Sequence, residues 1–227
     1  MFVFFDIDGT LFDDESAQRA GVADFHRAHS AELDRPEEGF WETWREVAED
    51  RFNRYLAGEF TFKGQRRERL RHLFGRPFAD AEADALYEEY YGYYRANWQL
   101  FPDAQACFES FAARGIISNG DSGSQREKIE KVGLAGCFDP VLISGDIGVH
   151  KPDARVFEEA CRLAGLEPRE CLYVGDRPET DALGAHRAGM TGVWLNRNGT
   201  PGCPEGVAEI SSLAALPVLV ASLGKGD

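Results

Sequence analysis

A four-residue apolar run, Phe2-Val3-Phe4-Phe5, stops abruptly at Asp6-Ile7-Asp8-Gly9-Thr10. A run this short, with no polar interruption, predicts a buried strand entering a tight turn, as in a sheet covered on both faces. From residue 16 to about residue 98 the rhythm changes. Apolar residues recur at spacings of three and four, as at Trp41, Trp44, Val47 and Ala48, and β-branched residues are few, which predicts four or five helices. Residues that interrupt or cap helices fall at Asp34-Arg35-Pro36, between Gly58 and Gly64, and at Gly75-Arg76-Pro77.

Beyond Phe101-Pro102, short apolar runs at residues 115–118, 141–144, 171–174 and 191–195 alternate with helix-length segments, and residues 213–223 read as a closing helix. Such alternation predicts an α/β fold with a Rossmann-like open parallel sheet. The expected organisation is a core made of residues 1–13 and 100–227, interrupted by an α-helical cap at 14–99, with the active site in the crevice between them. Open sheets bind ligands beyond the carboxyl ends of their strands, so the polar residues after each run are the candidates for chemistry.

Four such signals occur, and each has a bland alternative. Asp6 and Asp8 flank one residue, so strand alternation lets both face one crevice. They are either an Asp- and Gly-rich turn or a division of labour, one carboxylate ionised as nucleophile and metal ligand, the other carrying a proton for a leaving group. Ser118-Asn119-Gly120 offers a hydroxyl, an amide and backbone N–H groups to phosphate oxygens at a helix start, or is an ordinary helix cap. Lys151, ahead of Pro152 and Asp153, is solvated like most lysines, or neutralises an attacking aspartate and a phosphoryl group. Gly175-Asp176 with Asp181 is an acid-enriched helix start, or an oxygen-rich loop suited to Mg²⁺. Conjunction favours the functional set: all four stand after successive expected strands.

With these motifs in this order, nearly the whole chain resembles the haloacid dehalogenase-like superfamily, specifically its phosphatases with a helical cap inserted after the first strand. The resemblance implies that Asp6 attacks phosphorus to form an aspartyl-phosphate and that Asp8 protonates the leaving oxygen and then activates water. Ser118, Asn119 and Gly120 would grip the phosphoryl group and Lys151 would offset charge. It also implies Mg²⁺, held by Asp6, the Asp8 carbonyl and Asp176, with Asp181 as an outer or variable ligand. The implied substrate is a small phosphorylated metabolite: a sugar phosphate, a nucleoside monophosphate or an organic-acid phosphate. Residues 113–118 are a few fewer than is usual in such proteins, so a truncated second strand is expected.

Composition narrows the partners. A net charge of -14 argues against nucleic acid polymers and anionic membranes, which require clustered cations. Small anions remain possible where a bound metal supplies the positive charge. Cys107, Cys137, Cys161, Cys171 and Cys203 are odd in number and lie outside any C-x-x-C spacing, which argues against a disulfide framework or zinc site and suits a reducing cytoplasm. No basic leader precedes the first apolar run, and no stretch reaches the roughly 18 apolar residues of a membrane span. Oligomeric state has no signature in the sequence.

Residues 14–99 hold more than half of the aromatic residues, which are expected to pack the helices rather than to stack on a substrate. Arg66, Arg67, Arg69 and Arg71 read as a solvated helix face, with recognition of an anionic substrate as the alternative. His26 and His29 read as a surface pair and His150 as lining the crevice. Residues 120–128 (GDSGSQREK) lack the G-x-x-x-x-G-K-[ST] spacing of a triphosphate-binding loop. Three further functional readings stay open: a phosphomutase using the same carboxylates, a dehalogenase, against which Asp8 counts, and a metal-binding interaction module with a retired site.

Overall fold

In a computed structural model that describes residues 1–33 and 35–223, β1 (Phe2–Phe5) lies within a parallel sheet. The other strands are β2 (Arg114–Ser118), β3 (Val141–Ile143), β4 (Cys171–Gly175), β5 (Thr191–Leu195) and β6 (Ala208–Ile210). Their order is β3-β2-β1-β4-β5-β6, every neighbouring pair parallel. Asp34, named above in a helix break, and residues 224–227 lie outside the described residues. The order runs one way from β1 to β3 and the other way from β4 to β6, so the topological switch point falls between β1 and β4. In a doubly wound Rossmann-like α/β sheet, a crevice opens there at the carboxyl ends of the strands.

The chain divides into two compact units, Met1–Asp14 with Gln99–Asp227, and Glu15–Trp98. The helical stretch comprises α1 (Asp14–Ala28), α2 (Phe40–Leu56), α3 (Phe62–Phe74) and α4 (Asp80–Ala96). One aromatic from each helix meets at its centre: Phe25 lies 5.7 Å from Trp44, 6.1 Å from Phe74 and 6.2 Å from Tyr90, ring centroid to centroid. All three pairs are edge-to-face, the arrangement in which ring quadrupoles attract. The aromatic-rich pattern is therefore a core, as expected.

Two expectations about this unit need correction. His26 is a buried residue whose Nε2 lies 2.9 Å from the Arg35 carbonyl oxygen, not half of a surface pair. Nor is the arginine run a solvated face. Arg67 is paired with Asp80 and Asp84, and Arg71 with Glu68 and Asp80. Arg66 lies over the Phe62 and Tyr87 rings, and Arg69 is buried beside Trp44 and Tyr87. Acidic α4 packs against α3, and its Asp80 and Asp84, invisible in the α3 sequence alone, take up the charge of Arg67 and share that of Arg71 with Glu68.

In the sheet-bearing unit the remaining helices are α5 (Ala104–Glu109), α6 (Ser122–Lys131), α7 (Ser144–Ile147), α8 (Ala154–Ala164), α9 (Leu183–Arg187) and α10 (Leu216–Leu223). Strand alternation sends Phe4 to a core cluster with Ile117, Val156, Phe157 and Tyr173, while Phe5 meets Phe111 and Phe138. Each fully buried side chain of this size contributes about 1.5–3 kcal/mol. The second strand is not truncated: β2 has five residues, as many as β4, because it begins at Arg114, whose guanidinium donates to the Cys137 and Phe111 carbonyls. The expected third strand stops one residue early, at Ile143, since Ser144 opens α7. β6 was not expected from the sequence; three residues with Glu209 in the middle are too short and polar to read as a strand. All five cysteines are free. No helix among the described residues is long and apolar enough to cross a membrane.

Candidate active site

Asp6 follows the last residue of β1, and its N–H continues the sheet ladder to the Val174 carbonyl at 3.0 Å. The strand thereby delivers a carboxylate to the carboxyl edge of the sheet at the switch point. Lys151 Nζ meets it there, 2.7 Å from Asp6 Oδ1 and 2.7 Å from Asp181 Oδ1. All three side chains are buried. Tyr173, on β4, completes the knot: its hydroxyl donates to the Ile117 carbonyl at 2.9 Å and lies 2.5 Å from Lys151 Nζ. Nothing in the sequence singles out Tyr173, because its strand reads only as an apolar run.

Asp176 follows β4, and Asp181 lies on the wide π-type turn Pro178–Ala182 that re-enters the sheet edge. The turn is closed by the Arg177 N–H donating to Asp181 Oδ2 at 3.0 Å. Two glycines make room for these acids. Gly9 has φ +78°, and a Cβ there would run into the Asp176 carboxylate; a Cβ at Gly175 would come within 2.5 Å of the Asp181 side chain. Asp6, Asp176 and Asp181 each present an oxygen within 4.8 Å of the others, a spacing that could hold a cation.

The electrostatics are those of a site short of positive charge. Burial, with Asp181 and Asp8 adding repulsion and Lys151 opposing, pushes the Asp6 carboxyl up to about 7. Burial together with Asp181 and Asp6 pushes Asp176 up to about 8. Burial pulls on Lys151 in the direction of neutrality, but Asp181 and Asp6 overcome it and hold the ammonium above its usual range. One lysine does not offset three clustered carboxylates.

The residues of the expected phosphate turn make hydrogen bonds within the protein. Ser118 ends β2, buried, with its Oγ 3.2 Å from Gln125 Nε2. Asn119 is spent elsewhere: its Nδ2 donates to the Lys151 carbonyl at 3.0 Å and its Oδ1 accepts the Lys151 N–H at 2.9 Å. That reciprocal pair ties the Asn119 side chain to the Lys151 backbone and sets the lysine in place. The Gly120 N–H is also committed, to Ser144 Oγ at 3.0 Å. Nor is the turn an ordinary helix cap; Asp121 caps α6, accepting the Ser124 N–H at 2.9 Å. His150 leans on the same serine, Nδ1 to Ser144 Oγ at 2.9 Å.

Asp8 stands apart from the acidic trio. Its Oδ1 is paired with Lys128 and its Oδ2 accepts from Gln125 Nε2 at 2.7 Å. Both partners come from residues 120–128, which the sequence presented only as a failed triphosphate loop. Where the turn after β1 ends, Arg197 donates to the Thr10 carbonyl at 3.0 Å and to both oxygens of Asp103.

A family model described as haloacid dehalogenase-like hydrolase matches residues 1–189. The chain belongs to the haloacid dehalogenase-like hydrolases. In this hydrolase the matched residues include every acid and lysine of the cluster and end just before β5. The phosphoserine phosphatase of Thermus thermophilus is 39% identical over 61% of this chain and 56% of its own length, so the chain spans little more than half of that relative. Human N-acylneuraminate-9-phosphatase is 29% identical over 97% of this chain and 94% of its own. Among solved structures, a 2-haloacid dehalogenase from Pseudomonas syringae superposes with a TM-score of 0.71 at 28% identity, covering 98% of this chain and 100% of that one. The likeness to the haloacid dehalogenase-like fold therefore extends to the strands and helices beyond residue 189.

Proposed function

We propose that this chain is a phosphatase that hydrolyses phosphomonoesters of small metabolites with Mg²⁺, Asp6 attacking phosphorus to give an aspartyl-phosphate. The observation that carries the reading is the buried Asp6–Lys151–Asp181 cluster with Asp176 beside it. The curated relatives named above support the same side of the family, since both are named for phosphatase activity.

The donor set fits Mg²⁺: it is all oxygen, it is crowded, and two of its acids are driven toward protonation when no divalent cation balances them. Asp6, the Asp8 carbonyl and Asp176 would hold the ion, with Asp181 at its edge. When bound, Mg²⁺ supplies charge compensation between the attacking carboxylate and the phosphoryl oxygens. The chain's own groups do the rest. Lys151 orients Asp6 and offsets its charge while the Asp6–phosphorus bond forms and the ester bond breaks. Asp8 gives its proton to the leaving oxygen, then takes one from the water that hydrolyses the phosphoaspartate. Ser118 offers its hydroxyl to a phosphoryl oxygen.

A dehalogenase reading, kept open by the sequence and shared with the Pseudomonas structure, would use Asp6 as the attacking carboxylate but gives no task to Asp8, Asp176 or Asp181. Choice among leaving groups is assigned to residues 14–99, since the polar groups after each core strand are taken up by the phosphoryl and metal functions or by one another. A panel of phosphomonoesters assayed for inorganic phosphate with Mg²⁺ tests the proposal. Turnover that chelation abolishes and Mg²⁺ restores supports it. Full activity in excess chelator would remove the metal, and phosphate transfer to a second sugar position without release would make the chain a mutase.

A further inference from the structure

Lys128 and Gln125 are only 5% and 4% exposed, yet both end on the carboxylate of Asp8, whose side chain is 32% exposed. Each Asp8 oxygen has its own donor, Lys128 on Oδ1 and Gln125 on Oδ2. The two donors are three residues apart on α6, a spacing that puts them on one helix face. We infer that Gln125 and Lys128 are the positioning residues of the acid–base step, a clamp that aims the Asp8 carboxylate. This rests on the phosphatase reading above.

The clamp is built into the phosphate turn. α6 starts directly after Ser118-Asn119-Gly120 and is capped by Asp121, so the backbone that places Ser118 also sets the register of the helix. Gln125 Nε2 lies 3.2 Å from Ser118 Oγ and 3.2 Å from the Asn119 carbonyl oxygen as well. One amide thus links the acid–base residue to the hydroxyl assigned to the phosphoryl group. Lys128 Nζ is also 3.6 Å from Asp14 Oδ1 and 4.4 Å from the centre of the Phe12 ring, at the end of the first core segment.

Both contacts donate to Asp8, so the arrangement fits the carboxylate that acts in the second half-reaction. There the water oxygen bonds to phosphorus, the Asp6–phosphorus bond breaks with its electron pair returning to Asp6, and a proton of the water passes to Asp8. Inorganic phosphate leaves, and Asp8 holds the proton for the next leaving group. A clamp that only stabilised the fold would not distinguish this half-reaction from the first.

The test is stopped-flow hydrolysis of p-nitrophenyl phosphate with Mg²⁺, because nitrophenolate departs without needing a proton. In Lys128→Met and Gln125→Met the burst of nitrophenolate should stay within about threefold of wild type while the steady state slows about tenfold, the same pattern as Asp8→Asn, for which about 100-fold is expected. Lys128→Arg should recover part of the loss. Thermal unfolding is recorded for every variant; Gln125→Met leaves the ion pair in place and carries the test if Lys128→Met does not fold. Normal kinetics in Gln125→Met and Lys128→Met alongside a slowed Asp8→Asn would overturn the inference alone, as would equal loss of burst and steady state. An Asp8→Asn variant with no change in either phase would overturn the phosphatase reading and the clamp with it.

Discussion

Lys151 Nζ lies 2.7 Å from Asp6 Oδ1, a buried ammonium on a buried carboxylate that arrive from separate segments of the chain. The same ammonium serves Asp181, and the Asn119 side chain fixes its backbone from both sides. The cation is thus placed by Asp6 after β1, Asn119 after β2 and Asp181 on the turn that follows β4.

Removing that cation should be costly. Lys151→Met leaves buried carboxylates without their partner, a change that typically destabilises by about 3–5 kcal/mol. The stranded acids would take up protons in the folded state that the unfolded chain releases, so the deficit should grow as pH rises above the ordinary carboxylate range. Urea unfolding at acidic and alkaline pH measures it. Equal stability of Lys151→Met and wild type at both would contradict the account.

Metal binding should displace protons. Without metal, the folded-state values of about 7 for Asp6 and about 8 for Asp176 lie above 3.8, so the folded state binds more protons than the unfolded state across that window. These two groups therefore make the metal-free protein less stable as pH rises through it, and Mg²⁺, which needs them ionised, should reverse the trend. Titration calorimetry in two buffers of different ionisation enthalpy, at about pH 6.5, should show proton release on Mg²⁺ binding. The Mg²⁺-induced rise in Tm should increase from acidic to mildly alkaline pH. Binding without proton release would contradict the electrostatic picture.

Gly9→Ala should weaken the site without touching a charge. Its φ of +78° disfavours any side chain, and the added methyl would collide with Asp176. A cost of about 1–2 kcal/mol is expected from the backbone alone, together with weaker Mg²⁺ binding. An alanine variant that binds Mg²⁺ like wild type would show that Asp176 is not held where the glycine leaves room for it.

How much of this was legible in the sequence follows from what kind of signal each part leaves. Strand-end polar residues announce themselves, because an apolar run ending in Asp6 or Asp176 is a local pattern. Tyr173, Gln125 and Lys128 leave no such pattern. Their importance comes from the partner that the sheet order brings alongside, Lys151 for the tyrosine and Asp8 for the other two. Asn119 shows the converse: the motif pointed to phosphate, while the fold set its amide on the Lys151 backbone. The arginine run hides its role for the same reason, since α4 supplies Asp80 and Asp84 as counterions from outside the local sequence.

The same ion pairs bear on specificity. Arg67 and Arg71 are already paired with Asp80, Asp84 and Glu68, so Arg67→Ala and Arg71→Ala should leave the ranking of phosphomonoesters by kcat/KM unchanged. A selective loss against substrates carrying a second anionic group would restore the recognition role that the ion pairs argue against.

The central claim is that Asp6 carries the phosphoryl group. Acid quench during turnover of a phosphomonoester with Mg²⁺, followed by peptide mass spectrometry, locates the covalent phosphate. The account predicts phosphate on the peptide containing Asp6, absent in Asp6→Asn, which should also lose turnover, because a side-chain amide is a poor nucleophile. Phosphate on another residue, or near-normal turnover by Asp6→Asn, would contradict it.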